Sequence, residues 1–126
     1  MGSVNRRQDQ RIALQLFLNE YVGDRAHRCM ATNLSSSGLY VNRLLRPEPQ
    51  PSRVVGLEFS LPGISEVIWA RGEYRFDQVD PYFRSTGIEI TGIARVHQRL
   101  IHEYVSEERA KQLRRLLAMI RRNRMH

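Results

Sequence analysis

The apolar residues in the first three quarters of the chain recur at every second position, in short runs. Residues 12–18 read I-A-L-Q-L-F-L, and residues 55–61 repeat the same alternation of apolar positions. This period is typical of strands that bury one face. The same criteria predict further strands at 26–32, from Leu39 onward, at 64–71, at 73–76 and at 85–91.

Turn-forming residues separate these runs. The segment N-L-S-S-S-G at 33–38 is rich in Asn, Ser and Gly, and three prolines fall within 46–52, which predicts a loop. Pro62-Gly63 predicts a tight turn, and Asp80-Pro81 ends another run. Short strands spaced by roughly 8 to 12 residues favour a small antiparallel barrel or sandwich.

The apolar period changes towards the C-terminus, where two groups of residues follow helical spacing. Ser106-Glu107-Glu108 lie between the two groups and either cap a second helix or lie inside one long helix. We therefore expect a mainly β fold of about six short strands over 12–105, a small antiparallel barrel or sandwich, preceded by an Arg-rich lead-in at 1–11. A basic amphipathic helix at 106–126 would cover one opening of the barrel or project from it. The helical groups are Leu100, Ile101, Tyr104 and Val105, and then Leu113, Leu116, Leu117 and Ile120.

Composition places the chain among globular single domains. It has 126 residues, of which 41% are hydrophobic and 26% are charged. It contains no run of about 18 apolar residues, so no membrane span is expected. The N-terminal residues lack the apolar core of a secretory signal, and we therefore expect a cytoplasmic protein. One cysteine, Cys29, excludes an internal disulfide framework and a Cys-rich zinc site.

Charge divides the chain into a neutral body and a basic end. The net charge is +7, from 20 Lys and Arg against 13 Asp and Glu. Residues 109–126 hold seven of the positive charges and no acid, so the rest of the chain is balanced. Such an end is typical either of a segment that contacts an anionic partner or of a solvated helix face.

The residue patterns of common enzymes are missing. The sequence has no glycine-rich phosphate loop, no G-x-S-x-G and no H-E-x-x-H. His97 and His102 are five residues apart, a spacing that turns the two rings away from each other on a helix. We therefore expect neither an enzyme nor a metal site.

Two short patterns stand out from this background. Arg7 and Arg11 form R-x-x-x-R directly before the first strand, with Arg6 next to them. Two other Arg pairs have the same spacing, so this pattern is weak by itself. The second pattern, N-x-S-x-x-G at 33–38, begins 22 residues after Arg11. A match to [D/N]-x-S-x-x-G is expected only about 0.04 times in a chain of this composition.

The order and spacing of the two patterns resemble the PilZ domain, a bacterial receptor for cyclic di-GMP. That family carries R-x-x-x-R and then [D/N]-x-S-x-x-G on a six-stranded antiparallel barrel with a C-terminal helix. Residues 61–63, L-P-G, look like the family's turn between two barrel strands. Residues 87–90 and 100–105 look like its last strand and the start of its helix. The resemblance covers roughly residues 6–105.

The resemblance implies a site for cyclic di-GMP, with no other cofactor. Arg7 and Arg11 would grip phosphate and the Hoogsteen edge of guanine, on a lead-in that becomes ordered around the ligand. Asn33 would bind a guanine edge or orient an Arg side chain; the family often has Asp here, so the acceptor is kept and the charge is lost. Ser35 would donate a hydroxyl hydrogen bond. Gly38 would allow close backbone approach and a positive φ.

Two further features extend the expected site. Trp69 and Arg71 share one face of a predicted strand, where an indole and a guanidinium offer a stacking surface for a purine. Some PilZ proteins have a similar W-x-R, although Trp69 is equally consistent with a core residue under Arg71. Arg6 adds a third cation to the lead-in, which suggests binding of an intercalated ligand dimer.

Three functions remain open. The first is a cyclic di-GMP receptor that signals through a protein partner, by its barrel surface or its C-terminal helix. The second is a PilZ fold that binds no nucleotide and acts only as a protein-interaction module. The third, a small nucleic-acid-binding barrel, is disfavoured because no aromatic-rich strand surface is predicted. The apolar stripe of the basic helix would dock on the domain, on a partner or on a second copy, as in a homodimer.

Overall fold

Six antiparallel strands and one helix make up the protein in a computed structural model, which describes residues 10–44, 54–79 and 83–124. The predicted loop at 46–52 and the break at Asp80-Pro81 therefore lie outside the described residues. The elements are β1 (Arg11–Val22), β2 (Arg25–Ser35), β3 (Gly38–Leu44), β4 (Val54–Phe59), β5 (Ile68–Val79), β6 (Phe83–Ile93) and α1 (Arg95–Arg124).

The strands close into a barrel in the order β1-β2-β3-β6-β5-β4. The ring closes where Asn19 of β1 lies opposite Glu58 of β4. In this ring β5 stands opposite β2, with two strands between them on either side. The fold predicted from the sequence, a six-stranded antiparallel barrel with a C-terminal helix, is confirmed.

The core fills the interior of the barrel and follows the alternation along the strands. Within β1, Leu16, Leu18 and Val22 are buried while Phe17 between them is exposed. Glu20 also faces the interior and is fully buried. The largest apolar side chains that are completely enclosed are Ile12, Leu18, Leu34, Leu39, Leu57, Leu61, Ile68 and Ile101, with Val41, Val55 and Val105 beside them.

One strand, β5, stands where the sequence pattern predicted two, so the expected strands at 64–71 and 73–76 were wrong in their bounds. Residues 64–67 precede the strand, and β5 then continues through Gly72. The pairing of β5 with β6 shifts register at Arg71/Gly72 and again at Tyr74/Phe76. At the first shift the extra residue belongs to β6, so Ile68, Ala70 and Gly72 keep the alternation of buried positions along β5. A Cβ at Gly72 would lie 2.5 Å from Ile88 Cγ2, and this buried glycine without a side chain made a continuous strand look like two.

The predicted turn at Pro62-Gly63 is present. Gly63 has a φ of 77°, and the Ile64 N–H donates to the Leu61 carbonyl oxygen over 3.0 Å. A left-handed conformation of this kind favours glycine, since other residues have a Cβ that clashes there.

A single helix, α1, follows the last strand, so Ser106-Glu107-Glu108 lie inside one long helix. Its first half crosses one opening of the barrel, where Ile101 and Val105 are buried against the core. Residues 113–124 are exposed. Within the described residues, no helix has the length and apolar character needed to cross a membrane.

Candidate ligand-binding site

The two sequence patterns meet where the start of β1 pairs with the end of β2. Antiparallel pairing sets Arg11 opposite Ser35 and Ala13 opposite Asn33. The Arg11 guanidinium donates through Nη1 to Asn33 Oδ1 over 2.5 Å and through Nη2 to Ser35 Oγ over 3.3 Å. Arg11 is thus joined by direct hydrogen bonds to residues that lie 22 and 24 positions later in the sequence. We refer to Arg11, Asn33, Ser35 and Tyr40 below as the Arg11 cluster.

Asn33 holds the arginine through its amide oxygen. This oxygen accepts from Arg11 and also from the Tyr40 backbone N–H over 3.2 Å. An acceptor that is fixed by a strand N–H positions the guanidinium without needing a carboxylate charge. Of the two roles expected for Asn33, this geometry corresponds to the orienting one.

Ser35 stabilises the turn between β2 and β3. Its side chain is fully buried, and its Oγ accepts from the N–H groups of Ser37 and Gly38 over 3.2 and 3.1 Å. The hydroxyl also lies 3.2 Å from the Gly38 carbonyl oxygen. These hydrogen bonds to the backbone of Ser37 and Gly38 fix the shape of the β2–β3 turn.

Gly38 is required by a close approach of backbone rather than by its φ. Among the described residues the positive φ angles belong to Gly23 and Gly63, so the positive φ expected at Gly38 was wrong. A Cβ at this position would collide with the carbonyl oxygen of Ile88 and lie 3.3 Å from the Cα of Glu89. The missing side chain lets β3 begin directly against β6.

Tyr40 completes the cluster and was not predicted from the sequence. The Arg11 Cζ lies 5.4 Å from the centre of the Tyr40 ring, within range of a cation–π contact. The signal that could have found it is the register, because Tyr40 pairs with Asn33 across β2 and β3. Arg6 and Arg7 lie outside the described residues.

Trp69 and Arg71 occupy the outer face of β5, and both are exposed, so Trp69 is not a core residue. The indole stacks on Tyr21 of β1, with ring centres 5.9 Å apart and planes inclined at 28°. The Tyr21 hydroxyl donates to Glu58 Oε1 over 2.7 Å, and Asn19 Nδ2 donates to the same oxygen over 2.9 Å. Neighbouring side chains therefore hold the indole in place.

The hydrogen bonds to Glu58 also shift two pKa values. Donation from Asn19 and then from Tyr21 lowers the pKa of the Glu58 carboxyl, because both stabilise its charged form. The same contact raises the pKa of the Tyr21 hydroxyl, since the bond to Glu58 favours the protonated phenol.

An open cleft of about 420 Å³ lies between the β2–β3 turn and the end of β6. Gly92 in its lining pairs with Arg71 of β5, and a Cβ at Gly92 would lie 3.3 Å from the Arg71 Cβ, so Arg71 lies next to the cleft. Its lining consists of Ser36, Ser37, Ile90, Thr91, Gly92, Ile93 and Gln98.

Helix α1 is attached to the strand segment that carries Arg11. Arg109 Nη1 donates to the Arg11 carbonyl oxygen over 3.4 Å, and Gln112 Nε2 donates to the Ala13 carbonyl oxygen over 3.2 Å. No local pattern in the sequence indicates these contacts, which join residues 98 and 99 positions apart. No group of three or more His, Cys, Asp or Glu residues in the described parts of the chain could hold a metal ion.

Comparison with known proteins identifies a family and a fold. The family model described as PilZ domain matches residues 5–107. No curated protein sequence is significantly similar to the chain.

Three solved structures share the fold. The Bacillus subtilis inhibitor of motility (MotI/DgrA) has a TM-score of 0.74 and 22% identity, over 84% of this chain and 52% of its own. The PilZ domain with c-di-GMP of YcgR from Escherichia coli has a TM-score of 0.63 and 15% identity, over 86% and 96%. The Borreliella burgdorferi PlzA protein in complex with c-di-GMP has a TM-score of 0.53 and 18% identity, over 82% and 44%. The chain thus spans about half the length of the Bacillus subtilis protein.

Proposed function

Because this chain belongs to the PilZ domain family, we propose that it is a receptor for cyclic di-GMP, without catalytic activity, and that the Arg11 cluster forms one side of its binding site. The observation that carries the proposal is the guanidinium of Arg11, held by Asn33 and placed over Tyr40. Two solved structures with this fold are described as containing c-di-GMP, which supports the choice of ligand.

The ligand presents two guanine bases and two phosphates, and a guanidinium suits both. Its planar fork pairs with phosphate oxygens or with O6 and N7 of guanine. In the Arg11 cluster, one N–H on each terminal nitrogen is used for positioning, and we propose that the remaining donors of the five bind the ligand. An arginine already fixed by its neighbours loses less conformational entropy when the ligand binds.

The other predicted residues have supporting roles in this proposal. Arg7 contacts the ligand from the lead-in and becomes ordered on it, and Arg6 adds a cation that favours a stacked ligand dimer. Ser35 and Gly38 act through the shape of the β2–β3 turn. Asn33 fixes Arg11, and we propose that Trp69 and Arg71 contact the ligand through their exposed side chains on the outer face of β5.

Calorimetric titration with cyclic di-GMP tests the proposal. We expect micromolar or tighter binding by the natural chain, and a loss of about 10- to 100-fold for each arginine removed in Arg7→Ala and Arg11→Ala, as for hydrogen bonds to charged groups. The matched control is Arg121→Ala/Arg122→Ala, which removes the same charge from the end of α1. Equal losses of affinity in this control and in the double variant Arg7→Ala/Arg11→Ala would mean that the effect comes from net charge alone.

Two further measurements define the extent of the binding site and its stoichiometry. Trp69→Ala and Arg71→Ala weaken binding if the ligand spans the cleft, whereas unchanged affinity would restrict the site to the Arg11 cluster and the lead-in. A stoichiometry near two ligands per protein is the expected result for an intercalated dimer, and one per protein would exclude it.

Signalling through a protein partner is part of the same proposal. A stripe of exposed apolar residues on the last turns of α1 supports it, because apolar side chains in that arrangement are suited to helix docking. If high micromolar cyclic di-GMP gives neither heat nor a thermal shift, the receptor role is refuted and the protein-interaction module becomes the function to pursue.

A further inference from the structure

The last turns of α1 carry apolar residues that nothing in the described part of the chain covers. Between 45% and 53% of each of these side chains is exposed, which is unusual for large apolar residues so close together. They are Leu113, Leu116, Leu117, Met119 and Ile120.

Four of these residues form a narrow stripe along the helix. At about 100° per residue, Leu113, Leu116, Leu117 and Ile120 fall within an arc of about 100°. Val105, which packs on the barrel, lies about 80° from Leu113 around the helix axis. Leu116, at one edge of the stripe, lies about 20° from Val105, and Leu117, at the other edge, lies about 120° from it. The stripe therefore extends from the side of α1 that faces the barrel towards its exposed side.

The charges around the stripe are all of one sign. Residues 109–124 contain seven Lys and Arg and no Asp or Glu. Arg109 and Arg124 fall within the arc of the stripe itself, and the other five lie beside or opposite it, at about 80° to 200° from Leu113. These five are Lys111, Arg114, Arg115, Arg121 and Arg122.

We propose that residues 113–124 are a docking site for an amphipathic helix of a partner protein whose apolar seam is flanked by acidic residues. Charge complementarity identifies the occupant, since a partner helix with Glu or Asp beside its seam pairs with the arginines and covers the four apolar residues. Opposite charges beside the seam set the choice of partner, and the apolar contact supplies the affinity.

Two other occupants fit the segment less well. A second copy brings the same cations and no acid from this segment, so a paired stripe places like charges side by side. A membrane surface favours a helix with aromatic side chains on a broad apolar face. Residues 105–126 contain no Phe, Trp or Tyr, and the stripe has the width of a helix–helix seam.

The docking site is separate from the proposed dinucleotide site, so the test is made on the full chain without ligand. The probe is a synthetic 21-residue peptide with Leu and Ile at the seam positions and Glu beside them. A peptide of the same composition in scrambled order and a peptide with Lys in place of Glu are the comparison probes. Binding is measured by fluorescence anisotropy at two salt concentrations.

Three variants make the test specific. Leu116→Ser/Leu117→Ser removes the centre of the stripe and is expected to weaken binding of the acidic peptide at least tenfold. Val96→Ser, which removes an equally exposed apolar side chain elsewhere on α1, is the matched control and should bind like the natural chain. Arg114→Glu/Arg121→Glu is expected to transfer the preference to the Lys peptide.

The proposal holds if the acidic peptide binds more tightly than its scrambled form, if the Leu116/Leu117 variant loses this difference while the Val96 variant keeps it, and if charge reversal reverses the preference. Equal binding of the ordered and scrambled peptides refutes it, because charge alone would then explain the contact. Dimers in sedimentation velocity that disappear in the Leu116/Leu117 variant would instead identify a second copy as the occupant. Tight binding to vesicles with about 30% anionic lipid, with none to the peptide, would identify a membrane.

Discussion

Adding one carbon atom at Gly38 tests why glycine stands in the second sequence pattern. The new Cβ of Gly38→Ala would collide with the carbonyl oxygen of Ile88 and would lie 3.3 Å from the Cα of Glu89. Both neighbours are backbone of β6, which cannot move aside as a side chain can. The strands β3 and β6 must separate locally, although Gly38 pairs with Glu89 and the Ile90 N–H donates to Ser37 over 2.8 Å.

The size of the effect follows from two opposing terms. Forcing an atom into a packed region costs about 1 to 3 kcal/mol. Replacing glycine by alanine at a permitted φ gains about 0.4 to 1 kcal/mol, because the unfolded chain loses freedom. We expect Gly38→Ala to lower the free energy of unfolding by about 1 to 2 kcal/mol, and the melting temperature by about 3 to 10 °C for a domain of this size.

Gly56→Ala is the matched control, since it adds the same carbon to β4, on the opposite side of the barrel. There the new Cβ would meet the Tyr21 Cβ at 3.4 Å, an ordinary contact. We expect this variant to be as stable as the natural chain or slightly more stable. Thermal and urea unfolding followed by circular dichroism measure both. Equal stability of the two variants would refute the argument that backbone approach to β6 requires glycine at position 38.

Two other predictions concern Ile101 of α1 and Glu58 of β4. Ile101→Ala should lower the free energy of unfolding by about 2 to 4 kcal/mol in urea, because Ile101 is fully buried where α1 covers the barrel opening; a loss below about 1 kcal/mol would mean that the helix contributes little to the core. Glu58→Gln should remove part of the dependence of the melting temperature on acidic pH. The lowered pKa of Glu58 stabilises the folded chain above the ordinary pKa of a carboxyl and ceases to do so as the pH falls through the folded value. Melting temperatures of the natural chain and the Gln variant should therefore converge below about pH 4, and a constant difference down to pH 2.5 would contradict this.

The strands show what the local alternation of apolar residues can and cannot predict. Alternation correctly located β1, β2, β4 and β6, since each has one face in the core. It failed within β5, where Gly72 interrupts the apolar residues but not the strand. Gly72 occupies a buried position, and the side chain of Ile88 from β6 fills the space next to it, so only the structure shows that the alternation continues.

The candidate site shows a similar division. The sequence singled out Arg11, Asn33, Ser35 and Gly38, and the structure joins the first three by hydrogen bonds. Tyr40 was missed because its contribution depends on the pairing of two strands. The close backbone approach expected at Gly38 is between β3 and β6. The backbone of β6, and not a positive φ, excludes a side chain there.

The sequence by itself determined the local properties of this protein: strands with one buried face, a C-terminal helical segment, a neutral body with a basic end, and two spaced motifs. Each is readable because it depends on residues within a few positions of one another. Only the tertiary structure decided that Arg109 of α1 reaches the backbone of Arg11 and that the helix is continuous. It also decided that Trp69 faces outward and that the apolar stripe of α1 is about half exposed in the described part of the chain. Those properties depend on strand register and on how the helix crosses the barrel, which bring together residues that are far apart in the chain.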